Sequence, residues 1–336
     1  MTEKYSRQIL FAPIGEAGQK RLARSRVVII GAGALGTFQA SQLARAGVGA
    51  LRIVDRDFVE ESNLQRQMLF DESDAAQNLP KAVAAERKLR AINSDIRSEG
   101  VVADFEPRNA EELVRGFDVI LDGTDNFEAR YLLNDAAVKL GIPWVYGAAV
   151  GSYAATMTVR PGETACLACV FPVPPVGLGD TCDTVGVIAP AVAWAAAEQV
   201  TETLKLLLGR VEVLHGEFLS ADIWGNKFQR VRPRRDPACR VCGAREFRYL
   251  DGESSFSGSL CGRNAVQLRQ ADSRALDLRE LGMRLERFGP VRGNEFLLRF
   301  ELAPYELTVF SDGRAIIKGT DDPAVARGLY AKYVGS

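Results

Sequence analysis

Histidine is almost absent: the 336-residue chain has one, His215, which limits the chemistries on offer. Net charge is nearly absent too, at −1, so no global attraction to nucleic acid or membranes is expected. The longest apolar run, Val187 to Ala197, is interrupted by Glu198, Glu202 and Lys205 and is too short to span a bilayer. Residues 1–12 have no apolar core of the kind a signal peptide requires, so a cytoplasmic protein is expected. Cysteines number six, four of them in two Cys-x-x-Cys pairs. Without an export signal, that pattern points to metal or redox chemistry rather than a disulfide framework.

What is present is an ordinary globular composition, 47% hydrophobic and 25% charged, enough for one large α/β domain and a smaller appendage. Residues 14–25 read as a helix and Arg26 to Ile30 as a short apolar strand. The turn Gly31-Ala32-Gly33-Ala34-Leu35-Gly36 follows, then a helix to about Gly47 and a second strand, Leu51 to Val54. This is the opening of a doubly wound sheet. A helix after Pro80, strands near Val101-Val102 and at Phe117 to Leu121, a helix Phe127 to Leu140 and a strand Trp144 to Ala148 continue the pattern. Tyr153 to Arg160 alternates like an antiparallel strand, and 171–186 is a Pro/Gly/Asp-rich loop. Val187 to Leu208 reads as a long helix, with strands expected near 211–219 and 222–231. The expected division is an α/β Rossmann-like domain at 1–246, with an antiparallel zinc-bound extension, and a small C-terminal α/β domain at 247–336.

Gly31, Gly33 and Gly36 permit a tight turn and close backbone approach, and free N–H groups at a helix start attract phosphate oxygens. Asp55, 19 residues after Gly36, stands where an acidic side chain accepts hydrogen bonds from ribose hydroxyls. The fingerprint alone leaves a nicotinamide oxidoreductase open. The next segments favour ATP with Mg²⁺: Asp55-Arg56-Asp57, then Ser62-Asn63-Leu64-Gln65-Arg66-Gln67, Lys81, and Asp122-Gly123-Thr124-Asp125-Asn126. Arg offers bidentate contacts to phosphate, Lys a point charge, and Asp a hard oxygen ligand for Mg²⁺.

With Tyr5-Ser6-Arg7-Gln8 at one end and Thr181-Cys182 and Gly186-Val187 at the other, these stretches resemble the ThiF/MoeB/HesA family, bacterial relatives of the ubiquitin-activating enzymes. The resemblance runs through residues 5 to 242. It implies adenylation of the C-terminal Gly-Gly carboxylate of a ubiquitin-like sulfur-carrier protein, in thiamine, molybdopterin or tRNA thiolation pathways. Carried over by position, it implies that Asp55 holds the ribose, that Asn63, Arg66 and Lys81 bind the triphosphate and that Asp125 ligates Mg²⁺. Asp57 and Asn126 join them as nucleotide-binding positions. It also implies a homodimer in which Arg7 reaches the phosphates of the other subunit, and a sulfur donor of the cysteine desulfurase type. No nucleic-acid or membrane partner is expected.

Four thiolates satisfy a tetrahedral Zn²⁺. The family places a zinc at Cys166, Cys169, Cys239 and Cys242; four buried free thiols are the alternative. In the family the cysteine matching Cys182 is proposed to attack the acyl-adenylate or to take part in sulfur transfer. Its neighbours Asp180 and Asp183 would raise its pKa. Cys261 lies beyond the matched stretch and reads as a buried structural thiol, with a sulfur relay as the alternative, and His215 reads as a structural histidine. A noncatalytic zinc-containing module, and an enzyme that adenylates a peptide or nucleic acid, are the remaining competitors.

Overall fold

The computed structural model describes residues 3–173, 185–252, 264–268, 276–311 and 313–335. The chain divides into two compact units, Met1–Ser254 and Ser255–Ser336.

In the first unit, β1 (Arg26–Ile30), β2 (Ala50–Val54), β3 (Arg97–Val101), β4 (Val119–Asp122) and β5 (Trp144–Val150) form a parallel sheet. It continues antiparallel through β6 (Tyr153–Val159), β7 (Phe218–Asp222) and β8 (Lys227–Val231), in the order β3-β2-β1-β4-β5-β6-β7-β8. The central strands read as near-continuous apolar runs because each face feeds a different core. Val27 and Ile29 pack on one side with Leu43, Leu51 and Leu89, whereas Val28 and Ile30 pack on the other with Leu132, Leu133 and Trp144. Each such fully buried side chain contributes roughly 1.5–3 kcal/mol relative to exposure.

Short helices α1 (Ser6–Ile9) and α2 (Gly15–Leu22) lead in, followed by α3 (Ala34–Ala46), α4 (Glu72–Ala76), α5 (Lys81–Ile92), α6 (Ala110–Val114), α7 (Phe127–Leu140), α8 (Leu167–Val170) and α9 (Ala189–Leu208). Helix α3 stops at Gly47 (φ 77°), a left-handed position at which an added Cβ would also strike the Tyr5 ring at 2.7 Å. Pro190 sits in the first turn of α9, where no intrahelical donor is needed.

Several expectations shift. The third strand is Arg97–Val101, ending where a strand was placed at Val101-Val102; it is polar because it is the sheet edge. The strand expected near 211–219 is a 3₁₀ turn, Val211–Val213, followed by β7, and the next strand is confined to 227–231. His215 therefore precedes a strand instead of lying in one. Its backbone N–H donates to the buried Glu202 (3.3 Å), which also takes Thr158 Oγ1 (2.9 Å) and Lys205 Nζ (2.6 Å), pinning α9 to β6. The first unit also runs past 246, because Phe247, Tyr249 and Leu250 belong to its core.

The second unit has a wholly antiparallel sheet, β10-β11-β12-β13-β9, from β9 (Ala265–Leu268), β10 (Val291–Gly293), β11 (Leu297–Leu302), β12 (Tyr305–Phe310) and β13 (Ala315–Lys318). Helices α10 (Leu278–Leu285) and α11 (Pro323–Tyr333) supply Leu281, Leu285 and Tyr330 to a core with Phe300, Leu307 and Ile317. Among the described residues no helix is long and apolar enough to cross a membrane.

Candidate nucleotide site and cysteine cluster

The strand order reverses direction between β1 and β4, and in open α/β sheets ligands bind at that point, beyond the carboxyl ends of the strands. Three loops leave those ends: Gly31–Gly36 after β1, Asp55–Asp57 after β2 and Asp122–Asn126 after β4. The glycines are not equivalent. A Cβ on Gly31 (φ 96°) would lie 2.5 Å from the Gly123 carbonyl oxygen, and one on Gly36 would lie 1.9 Å from that of Gly31. Those two are required by backbone packed on backbone. Gly33 caps α3, and its nearest obstacle is the Gly123 oxygen at 3.8 Å. The protein leaves room in front of it, and that room faces the amino end of a helix, where phosphate oxygens are attracted.

Asp55 grips the same turn: one oxygen accepts the Ala32 N–H (2.6 Å), the other that of Asp57 (2.7 Å). Burial raises its pKa, with the Lys81 charge opposing. A carboxylate has about four acceptor sites, so both oxygens keep capacity for a ribose. Lys81, 8% exposed, begins α5 with its N–H on the Asp57 carbonyl (2.8 Å) and its Nζ 3.4 Å from the Asp57 carboxylate. Burial works against its charge, but Asp57, Asp55 and Asp125 together outweigh it and hold its pKa above the ordinary lysine value. Four of the expected site residues are thereby brought into one electrostatic cluster.

The two aspartates of the Asp-Gly-Thr-Asp-Asn loop differ in role. Asp122 is fully buried and accepts from Thr124 N (2.9 Å), Thr124 Oγ1 (2.7 Å) and Arg130 Nε (3.3 Å). Arg130, lying over the rings of Phe127 and Tyr146, also donates to the Thr124 carbonyl (2.8 Å). Asp125 is exposed and accepts from Asn126 Nδ2 (3.2 Å), while Asn126 Oδ1 caps α7 through Ala129 N (2.9 Å). Asn63 is buried and caps its own turn through Glu60 N (3.2 Å), and Arg66 donates to the Ser62 carbonyl (2.8 Å). Arg7 lies exposed on α1 beside Leu10 and Phe11; among the described residues it makes no hydrogen bond or ion pair with this cluster. Cys182 and Cys261 fall outside the described residues. Arg130, Gln39 and Gln199, which hold the β4 turn, were not singled out from sequence, since nothing in their spacing marks them.

The sulfurs of Cys166, Cys169, Cys239 and Cys242 all lie within 4.8 Å of one another, with contacts of 3.9 Å (166–169), 3.7 Å (166–239) and 3.4 Å (169–242). Sulfurs held tetrahedrally about 2.3 Å from a zinc would be about 3.8 Å apart, so the set fits Zn²⁺. Helix α7 carries this module. Asn134 Oδ1 accepts the Leu167 N–H (3.0 Å), Tyr131 donates to the Phe171 carbonyl (2.6 Å), and Tyr131 stacks on Tyr249 at 5.0 Å.

Asp135, fully buried on the same helix, accepts the Tyr249 N–H (2.9 Å). Burial pushes its carboxyl up to about 6; the Tyr249 N–H and the Arg240 charge oppose, and Asp251 adds to the rise. The folded protein then binds more protons than the unfolded chain between about 4 and 6. The contribution of Asp135 is therefore fully present below about pH 4 and lost as pH rises through 6. Asp135→Asn should flatten that part of the profile. Melting temperatures of both proteins from pH 4 to 7 check this, and parallel profiles would assign the slope to another group.

A family model described as the ThiF family matches residues 5–241. The chain is 49% identical to a sulfur carrier protein ThiS adenylyltransferase of Bacillus subtilis (strain 168), over 100% of both chains. It is 39% identical to a sulfur carrier protein adenylyltransferase of Thermus thermophilus, over 72% of this chain and 90% of that one. The crystal structure of E. coli MccB with MccA-N7isoASN shares the fold, with a TM-score of 0.64 at 24% identity, over 72% of this chain and 74% of that one.

Proposed function

The chain belongs to the ThiF family, and from that premise we propose that it activates a ubiquitin-like sulfur-carrier protein in the cytoplasm by adenylating its C-terminal Gly-Gly carboxylate. The observation that carries the reading is the open space at Gly33 beside a buried lysine flanked by three aspartates, at the sheet's switch point.

In this reading the carrier's carboxylate oxygen attacks the α-phosphorus of ATP, a P–O bond forms, and pyrophosphate leaves with its electron pair. The Gly33 end of α3 receives the phosphates, Asp55 holds the ribose, and Lys81, with Asn63 and Arg66, neutralises charge on the triphosphate. Lys81 is held charged, so it is a fixed cation on which the developing negative charge is stabilised without reorganisation. Asp125 would hold Mg²⁺, which when bound supplies charge neutralisation across the phosphates. Positioning and electrostatics account for most of the acceleration, since the protein itself forms no bond in this step. The four cysteines would hold a structural Zn²⁺. Arg7, set among exposed Leu10 and Phe11, would act across a homodimer interface, and the adenylate would pass to sulfur supplied by a donor of the cysteine desulfurase class.

ATP–pyrophosphate exchange dependent on a Gly-Gly carrier tests the reading. Exchange with no candidate carrier, despite intact fold and zinc, would reject it. Cys182→Ala should keep exchange, because a thiol plays no part in attack at phosphorus, and should slow or abolish passage of the acyl group to sulfur. Loss of exchange in that variant would remove Cys182 from the transfer step and place it in the nucleotide site.

A further inference from the structure

The last β4–β5 pair is Leu121–Val145, and one residue beyond it the Asp122 carbonyl is held by side chains. Gln39 of α3 and Gln199 of α9, both fully buried, donate to it through Nε2, each at 2.9 Å. Gln39 Nε2 also donates to Gln199 Oε1 (2.6 Å), and Gln199 Nε2 to the Val145 carbonyl (3.0 Å). Gly147 makes room for this: a Cβ there would lie 2.4 Å from the Gln199 amide.

Two buried amides carry a desolvation cost that two leucines of similar volume would not, so stability alone does not explain them. Their position does. The Asp122 peptide is fixed from the α3–α9 side by the glutamines, and its carboxylate is fixed by Arg130 of α7 and by Thr124 of its own turn. Its direction sets the course of the turn that presents Asp125, three residues on. Gln39 stands on the helix whose amino end is Gly33, so the same contact registers the phosphate turn against the carboxylate loop.

We propose that Gln199, seconded by Gln39, is a positioning residue that sets Asp125 for Mg²⁺ on the bound nucleotide. This rests on the adenylation reading above. Partners that orient a metal-binding carboxylate without touching the metal are worth about 10- to 100-fold in metal affinity. Gln199→Leu should therefore shrink the Mg²⁺-dependent gain in ATP affinity by at least about tenfold and change metal-free ATP binding far less. Gln39→Leu, which leaves the Gln199 bond to the same carbonyl, should have a smaller effect. Gly147→Ala drives the Gln199 amide out from the opposite side and should reproduce the loss. In a Gln199→Ala background, where the amide is gone, it should add nothing.

The measurement is calorimetric titration of a non-cleavable ATP analogue with and without Mg²⁺, on variants matched to wild type in zinc content and melting temperature. A wild type whose affinity ignores Mg²⁺ would overturn the nucleotide reading and this role with it. Mg²⁺-sensitive wild type with an equally sensitive Gln199→Leu, or with additive effects of Gly147→Ala and Gln199→Ala, would overturn the positioning role alone.

Discussion

Arg7→Ala should lower carrier adenylation by roughly 10³- to 10⁵-fold, the range over which an arginine supplied in trans acts in phosphoryl transfer. The residue is exposed on a four-residue helix, followed by Leu10 at 73% and Phe11 at 61% exposure. Adjacent exposed apolar side chains beside a cation are suited to a subunit interface. Asp125→Ala should be as inactive, because it removes the exposed carboxylate of the β4 turn. The two variants should complement. A heterodimer has one site with both residues intact and one with neither, so a pure heterodimer should reach about half of wild type, and an equimolar mixture after full subunit exchange about a quarter, if the sites are independent. Mixing after confirmed exchange, scored by pyrophosphate release, distinguishes the cases. No recovery would place Arg7 in its own subunit or couple the two sites tightly. A fully active monomer would reject a shared site.

Cys239→Ser should strip the zinc and destabilise the fold around it. The sulfur is buried 3.7 Å from Cys166, and a structural zinc contributes its binding free energy directly to folding, on the order of 10 kcal/mol for small domains. The loss should extend to the segment that starts at Leu167, whose N–H is held by Asn134, and to Phe171, whose carbonyl is held by Tyr131. Metal analysis and thermal melts of the variant check this. One zinc per chain retained after both Cys239 and Cys242 are replaced would show that the four sulfurs are not the ligands.

The parallel half of the fold was legible because β1, β2 and β4 are short β-branched or leucine-rich runs between turn residues, and α7 and α9 end in glycines at left-handed positions. Where a strand lies at the sheet edge the signal fades: β3 reads Arg-Ser-Glu-Gly-Val, and only its pairing with β2 makes it a strand. The cysteine pairs were legible as pairs from their spacing, whereas their meeting, which brings together residues 73 apart, was implied only by the family resemblance. Asp122 and Asp125 look alike in sequence, and burial alone separates them. The Gln39–Gln199 contact joins residues 160 apart and carries no periodicity or motif. Local chemistry writes turns and helices into the chain, whereas contacts across the sheet arise only when the layers assemble.

The fit between Gly31, Gly36 and Gly123 bears on how the turn spends conformational freedom. Main chain touches main chain there, so no rotamer can yield, and the loop is ordered when the sheet forms. Ordering entropy of about 1–2 kcal/mol per residue is surrendered once, on folding, and is not charged against each nucleotide that arrives. The three glycines consequently divide in evolutionary latitude. A methyl at 31 or 36 deforms the turn itself, while at 33 it makes only ordinary contact with the Gly123 carbonyl oxygen at 3.8 Å, which under the proposed function would make Gly33 the position where affinity is adjustable at constant architecture.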